Sequence, residues 1–184
     1  MRLRALFLVD GSPGSLADAR GHAGSLRGRA VMRALALTLL LLAARPDASP
    51  LEVLKPLAGH WKATTSSGKS MAVDYRFISN DTVLVEAYNA GSPRETMTVF
   101  HADGNTLIAT HYCAQGNQPR LRLAPDTKSL VFVFFDATNL SDPSSSHLVR
   151  LELSLEPDGS LKRIETYRER GKDEVTTLVL HRDK

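Results

Sequence analysis

The chain has 184 residues, a formal net charge of +3 and a single cysteine, which excludes an internal disulfide bond. The basic excess lies in residues 1–48, which hold seven Arg and three Asp, so residues 49–184 carry 16 basic and 17 acidic side chains. A nearly neutral body gives no electrostatic footprint for nucleic acid or an anionic membrane, and its length suits one domain with a single core.

Residues 32–48 have the layout of a secretory signal peptide. One arginine precedes an uncharged apolar run from Ala34 to Ala44, and an Arg-Pro step follows it. A helix of about 11 residues is roughly 16 Å long, about half of a ~30 Å hydrocarbon core, which disfavours a stable membrane span. Residues 1–31 have no periodicity, and Met32 is an alternative start. We therefore expect a leader in 1–48 and export to the periplasm or out of the cell.

A short helix followed by strands is predicted for residues 49–184. Ser49 precedes Pro50, and Glu52 stands three residues after the serine, which is the pattern of a capped helix start. Ten strand-length runs follow, separated by turn-forming steps such as Asp103-Gly104. Because Asp-Gly steps accept the positive φ angles of tight hairpins, consecutive runs should pair antiparallel.

Apolar residues alternate along most of these runs. A two-residue period over so many antiparallel segments favours a sandwich or a closed barrel, since an open sheet would expose its edges. The run from Leu130 to Phe135 is apolar on both faces, which indicates a wall that is also covered outside, with the opening helix as a candidate cover. We predict an all-β domain: a single antiparallel up-and-down β-barrel of eight to ten strands with a short N-terminal helix.

The body, residues 49–184, resembles the calycin superfamily of lipocalins, fatty-acid-binding proteins and their bacterial relatives. The resemblance rests on a short helix leading into Gly59-His60-Trp61, on the successive hairpins, and on Arg182 in the last run. It implies that Trp61 closes one end of the barrel and that Arg182 lies across it, so that both residues are structural. A guanidinium stacked on an indole contributes about 0.5 to 2 kcal/mol.

The segment from Thr110 to Arg120 concentrates a histidine, a thiol, two amides and an arginine around one predicted turn. If Leu107 and Ala109 face inward, His111 and Cys113 do too, roughly 7 Å apart along the strand. An imidazole and a thiol on one wall could hold a soft metal, ligate a haem or bind a ligand head group. The alternative is a buried histidine beside a small hydrophobic cysteine. The spacing is too long for a nucleophilic pair, so no catalytic residue is predicted.

Other polar side chains are expected at the surface. Asp74 and Glu86 fall opposite the dominant apolar face of their strands, and the run from Lys162 to Glu174 is typical of a solvated hairpin with cross-strand ion pairs. His147 is also expected in solvent. The alternation therefore predicts no inward pair of carboxylates.

The predicted function is the binding of a small, mainly apolar molecule inside an exported barrel. Barrels of this strand number enclose room for one ligand, and burial of apolar area at ~25 cal/mol per Å² supplies most of the affinity. The predicted lining residues are Val85, Val99, Phe132 or Phe134, and Leu151, with His111, Cys113 and Arg120 near the polar end of the ligand.

Two alternatives stay open. The first is a haem-binding or metal-binding barrel, or an enzyme that uses such a centre, with His111 as the principal ligand. The second is a barrel filled by its own side chains that acts as an interaction module. On the main interpretation we expect no cofactor, no nucleic-acid partner and no stable membrane span after the leader is removed, while the ligand and the oligomeric state are not specified.

Overall fold

A computed structural model describes residues 49–64, 68–125 and 127–183. The predicted leader, residues 1–48, lies outside the described residues. A 3-10 helix, Pro50–Leu57, precedes ten strands. The strands are β1 (Gly59–Thr64), β2 (Ser70–Ile78), β3 (Val83–Tyr88), β4 (Thr96–Asp103), β5 (Thr106–Tyr112), β6 (Gln118–Leu123), β7 (Leu130–Thr138), β8 (His147–Leu155), β9 (Leu161–Glu169) and β10 (Lys172–Arg182).

The ten strands form one closed antiparallel barrel. Each strand pairs with its neighbours in the chain, and β1 pairs with β10 to complete the circle. The predicted all-β, up-and-down barrel with a short N-terminal helix is confirmed. Among the described residues, no helix has the length and the apolar character that crossing a membrane requires.

The opening helix is 3-10 rather than α-helical, and its sequence explains this. Ser49 caps it, because the serine hydroxyl accepts a hydrogen bond from the N–H of Leu51 at 3.3 Å. Pro56 lies inside the helix, where it lacks an N–H donor and restricts the backbone of the residue before it, which favours short, tight helical turns. Leu54 and Leu57 are buried, and the helix packs mainly against β3, β4 and β5.

The start of β1 and the end of β10 meet at the end of the barrel that carries the helix, which we call the closed end. Trp61 is fully buried there, and its indole N–H donates to the carbonyl oxygen of Leu57 at 2.8 Å. Arg182 pairs with Trp61 across the two strands, and its guanidinium lies 4.3 Å from the centroid of the indole. The contact expected from the calycin resemblance is therefore present.

Arg182 also ties the last strand to the helix. Its guanidinium donates to the carbonyl oxygens of Ala58 at 2.8 Å and Pro56 at 2.6 Å. Gly59 makes this approach possible, because its φ is +128° and a Cβ at this position would lie 2.7 Å from the Nη1 atom of Arg182. Any other residue would be strained by its φ angle and would force the guanidinium to move.

Apolar side chains fill the half of the barrel next to the closed end. Phe100 and Phe132 meet edge to face with ring centroids 5.3 Å apart. The close packing of this half leaves its side chains without solvent contact and supplies the hydrophobic stabilisation of the fold. Fully buried side chains of this layer include Leu54, Leu84, Phe100, Leu107, Phe132, Leu161 and Leu180, together with Trp61.

The opening helix was expected to cover the outer face of β7, but it does not. Val133 and Phe135 are exposed, because the helix lies against β3 to β5 instead. The ring of Phe135 is flanked by the guanidinium groups of Arg120 and Arg122, at 5.3 and 4.9 Å from its centroid. Arginine side chains on the neighbouring strand thus cover part of this apolar surface.

The Arg182→Ala variant tests the closure. It removes the stacking on Trp61 and two hydrogen bonds, so the free energy of unfolding should fall by about 1 to 2 kcal/mol. Urea unfolding followed by the fluorescence of Trp61, the chain's only tryptophan, measures this change. The control is His181→Ala, an exposed neighbour, and an equal loss in both variants would contradict the closure role.

Candidate functional site

Polar side chains occupy the inner face of the barrel in the half away from the helix, which we call the open half. Strand register places Tyr75, Glu86, Thr98 and His111 side by side on β2, β3, β4 and β5, where each is the direct partner of the next. All four are buried. Arg163 reaches them from β9 on the opposite wall and is 1% exposed.

Arg163 and Glu86 form a buried ion pair with two hydrogen bonds. The guanidinium donates from Nη2 to Oε1 at 2.8 Å and from Nε to Oε2 at 3.2 Å. Tyr75 donates to Oε2 at 2.6 Å and Thr98 donates to Oε1 at 3.0 Å, so the carboxylate accepts four hydrogen bonds. Such a pair tolerates burial only when its remaining polar atoms are also satisfied.

The electrostatics of this pair follow from its surroundings. Burial by itself would raise the pKa of Glu86, but the charge and hydrogen bonds of Arg163 and the hydroxyl of Tyr75 outweigh it, so the pKa lies below its ordinary value. Burial, reinforced by the negative charge of Glu86, raises the pKa of Tyr75 well above its ordinary value. Glu86 is therefore ionised and Tyr75 is a neutral donor at neutral pH.

A second carboxylate and an aromatic ring complete the surroundings of Arg163. Oε1 of Glu165 lies 2.9 Å from Nη2, and the Glu165 side chain is 14% exposed. The ring centroid of Tyr88 lies 5.0 Å from Cζ of Arg163. The Nη1 atom of Arg163 is buried and has no hydrogen-bond partner in the described structure.

His111 connects the ion pair to the open end through a chain of hydrogen bonds. Its Nδ1 lies 3.0 Å from the Thr98 hydroxyl and its Nε2 lies 3.1 Å from the Tyr167 hydroxyl. The single hydroxyl proton of Thr98 goes to Glu86, so Thr98 must accept from Nδ1–H, and Nε2 then accepts from Tyr167. Burial lowers the pKa of His111, which agrees with this neutral tautomer.

Tyr167 lies between the polar cluster and solvent. It lines a cavity of about 290 Å³ at the open end, beside the hairpin of β9 and β10. Burial, the charge of Glu165 and the thiol of Cys113 all raise the pKa of the Tyr167 hydroxyl. The other residues that line the cavity are Ser146, Glu169, Arg170, Lys172, Asp173 and Glu174.

A second opening lies beside the start of β2 and the end of β3. Its volume is about 680 Å³, and Met71 and Asn89 are among the residues that line it. The Tyr88 hydroxyl lies 3.5 Å from the sulfur of Met71, which places the Tyr88 side chain next to this opening. Both openings have the size range of small-molecule sites, about 300 to 1,000 Å³.

The structure supports the expected inward orientation of only some predicted site residues. His111 faces the interior, and Phe132 and Leu151 are fully buried there. Val85 and Val99 pair with each other on the face opposite Glu86 and Thr98, which is the outer face, and this corrects their expected inward orientation. The reason is that both faces of β3 carry apolar residues, and the face with Leu84 and Glu86, rather than the face with Val85, points into the barrel.

The remaining predicted contacts are not gathered around the cluster. Arg120 points outward and pairs with Asp136, with Nε donating to Oδ1 at 2.6 Å. Phe134 is half-buried against the ring of His147, with centroids 5.1 Å apart. Cys113 is half-buried close to Tyr167.

A metal centre at His111 has little structural support. Both of its ring nitrogens already have hydrogen-bond partners, Thr98 and Tyr167. Across residues 49–64, 68–125 and 127–183, no three His, Cys, Asp or Glu side chains are placed to share a metal ion. A haem iron would have to displace the Tyr167 hydroxyl to reach Nε2.

Three residues of the cluster were expected in solvent, and these expectations are wrong. Glu86, Arg163 and Glu165 face the interior, because Arg163 and Glu165 share the two-residue phase of buried Leu161. The sequence is ambiguous here, because Ile164 suggests that the alternate residues of β9 face inward. The buried Leu161 is the signal that would have assigned Arg163 and Glu165 to the inner face. His147 was likewise expected in solvent and is buried, with its Nδ1 2.7 Å from the carbonyl oxygen of Ser145.

Comparison of the sequence with protein-family models and with curated proteins finds no match. The fold and the cluster nevertheless define a class of protein. This is a closed, ten-stranded, up-and-down antiparallel β-barrel with an apolar closed half and a buried, charged cluster below its open end.

The Glu86→Gln variant tests how strongly the fold depends on the buried pair. It leaves Arg163 buried without its main counter-charge, and the free energy of unfolding should fall by about 3 to 5 kcal/mol. The exposed pair of Arg120 and Asp136 supplies the control, because Asp136→Asn should change stability little. Chemical denaturation measures both variants, and a similar effect of the two would contradict a special role for the cluster.

The pH dependence of stability tests the state of His111. Its pKa in the folded protein lies below the ordinary value of 6.5, so the unfolded chain binds a proton first as the pH falls. Stability should therefore decrease from about pH 7.5 to about pH 5.5, by at most about 1.4 kcal/mol per pH unit for this group.

His111→Gln should flatten that slope, because the glutamine amide can still donate and accept but does not titrate. Tyr88→Phe, a neighbouring change that alters no group titrating in this range, should keep the slope of the wild-type protein. Urea unfolding at a series of pH values measures it. An unchanged slope in His111→Gln would contradict the assignment.

Proposed function

We propose that this protein binds a small molecule at the open end of the barrel, with the polar cluster as the floor of the site. The observation that carries the proposal is the buried Arg163, whose Nη1 atom has no hydrogen-bond partner among the described residues although its Nε and Nη2 atoms contact Glu86 and Glu165. Burying an ion pair contributes little net stability compared with apolar residues of similar volume. A charged cluster inside a barrel is therefore better explained by recognition than by folding.

The packing of the barrel limits where a ligand can lie. The closed half is filled by residues such as Phe100 and Phe132, so the open half is the region that remains for a ligand. Tyr88, Tyr167 and Met71 offer aromatic and apolar surface there. The ligand that fits these surroundings has an apolar body and a polar end group that points toward Arg163.

The relationship to the calycins and the export of the protein belong to the same proposal. A closed antiparallel barrel that begins with a short helix supports the relationship, together with Trp61 beneath Arg182. The signal-peptide layout of residues 32–48 supports delivery to the periplasm or out of the cell. We thus propose an exported, calycin-like binding protein.

A fluorescence titration with N-phenyl-1-naphthylamine, a neutral apolar probe that brightens when it leaves water, tests the site. The full chain should bind it saturably. Glu174→Trp should weaken binding roughly tenfold or more, a loss of about 1.4 kcal/mol, because Glu174 lines the cavity beside Tyr167. The probe is excited outside the absorption band of tryptophan.

Val175→Trp is the matched control, since Val175 is the next residue of β10 and faces outward. It should leave probe binding unchanged. If Val175→Trp weakens binding as much as Glu174→Trp does, the probe lies on the outer surface and the proposed site is wrong. Absence of any probe binding would also overturn the proposal and would favour an interaction module.

A further inference from the structure

We infer that the end group bound by this site is a neutral carboxamide or lactam, whose carbonyl oxygen accepts from Nη1 of Arg163 and whose N–H donates to Glu165. This inference rests on the proposed function and names the class of ligand that the same site takes. It excludes carboxylates and ammonium groups as the preferred end groups.

The first step concerns the free donor. Arg163 uses Nε and Nη2 on Glu86, and Nη2 also approaches Glu165, so three of its contacts are satisfied within the protein. Nη1 carries two N–H donors and has no acceptor in the described structure, although it is buried. A buried donor without a partner is rare in native proteins, and the group that completes it must present an oxygen or nitrogen lone pair.

The second step concerns the neighbouring acceptor. Glu165 contacts Arg163 through Oε1 at 2.9 Å, and its side chain is 14% exposed. An ionised carboxylate accepts up to about four hydrogen bonds, so Glu165 has capacity for a donor from a ligand. Acceptor and donor positions for a ligand therefore lie next to each other around the same guanidinium edge.

The third step is the charge balance. Two carboxylates, Glu86 and Glu165, surround one guanidinium, and His111 is in the neutral tautomer that donates to Thr98 and accepts from Tyr167. The cluster has a net charge of −1 in this state. A ligand carboxylate would satisfy Nη1 but would place a further negative charge beside Glu165 in a region of low dielectric constant.

An ammonium group fails for the opposite reason. It would satisfy Glu165, but it has three donors and no lone pair, so Nη1 would stay without an acceptor. It would also place a positive charge beside the guanidinium of Arg163. A carboxamide or lactam carries its acceptor and its donor on adjacent atoms and brings no net charge, so it suits both protein groups.

Tyr88 determines how such a group reaches Arg163. It is the last residue of β3 at the open end, it is half-buried, and its ring stacks on the guanidinium. Its hydroxyl contacts a weak acceptor, the sulfur of Met71, at 3.5 Å. The ring also packs against the hydrophobic core, so a ligand that turns it away from the Nη1 side of the guanidinium must replace these contacts with its own.

Competition among three ligands with the same alkyl chain tests the inference. Decanamide, decanoate and decylamine are titrated against the full chain loaded with N-phenyl-1-naphthylamine at pH 7. Decanamide should displace the probe at concentrations roughly tenfold or more below those of the other two, because a hydrogen bond to a charged group is gained without an unpaired charge. Equal displacement by all three would overturn the inference while the proposed binding site stands.

Two variants locate the selectivity. Arg163→Lys retains a positive charge for Glu86 but removes Nη1, and it should abolish the preference for decanamide. Glu165→Gln removes the neighbouring negative charge and should improve decanoate relative to decanamide by roughly tenfold. Phe135→Leu, on the outer face, should leave the order of the three ligands unchanged.

The fluorescence of Trp61 in urea unfolding shows whether each variant is folded before it is used. A folded Glu165→Gln protein with the wild-type order of ligands would overturn the inference. If Arg163→Lys does not fold, Glu165→Gln decides alone. Failure of the probe to bind the wild-type chain would instead refute the proposed function, so the two failures are distinguishable.

Discussion

Glu86 and Arg163 are 77 positions apart in the chain, and they meet only because the sheet closes on itself. The closure depends on the pairing of β1 with β10 and on Arg182 lying over Trp61, next to a glycine that leaves room for the guanidinium. Without the closed circle, β3 and β9 would lie on distant parts of one sheet, and neither charge would meet its partner. The barrel and its polar cluster are thus consequences of the same geometric constraint.

Much of the fold could be predicted from the sequence, because strand length, turn chemistry and hairpin pairing are local properties. The Asp-Gly and Pro-Asp-Gly steps and the alternation along β2 and β8 predicted the number and direction of the strands. The sequence predicted a short helix but not its 3-10 form, which depends on Pro56 inside it. The interior was harder to predict: Leu84 and Val85 begin two competing apolar phases in β3, and only the register with Tyr75 decides that Glu86 faces inward.

The two halves of the interior perform different tasks. Aliphatic and aromatic side chains in the closed half supply stability through close packing. In the open half, a network of charged and hydroxyl groups occupies part of the buried interior. Because Arg163 takes part in both the stability of the network and the proposed recognition of a ligand, changes at this residue affect folding and binding together. Residues at the rim, such as Glu174, lie outside the network.

The direction of the hydrogen-bond chain has a consequence for the entrance. Each hydroxyl and imidazole proton from Tyr167 through His111 and Thr98 points toward the Glu86 carboxylate, so the whole relay has one polarity. Because the hydroxyl proton of Tyr167 is donated to His111, the Tyr167 oxygen can only accept a hydrogen bond from a molecule that enters. The buried charge of Glu86 therefore sets, through Thr98, His111 and Tyr167, the hydrogen-bonding character of the entrance, which is that of an acceptor.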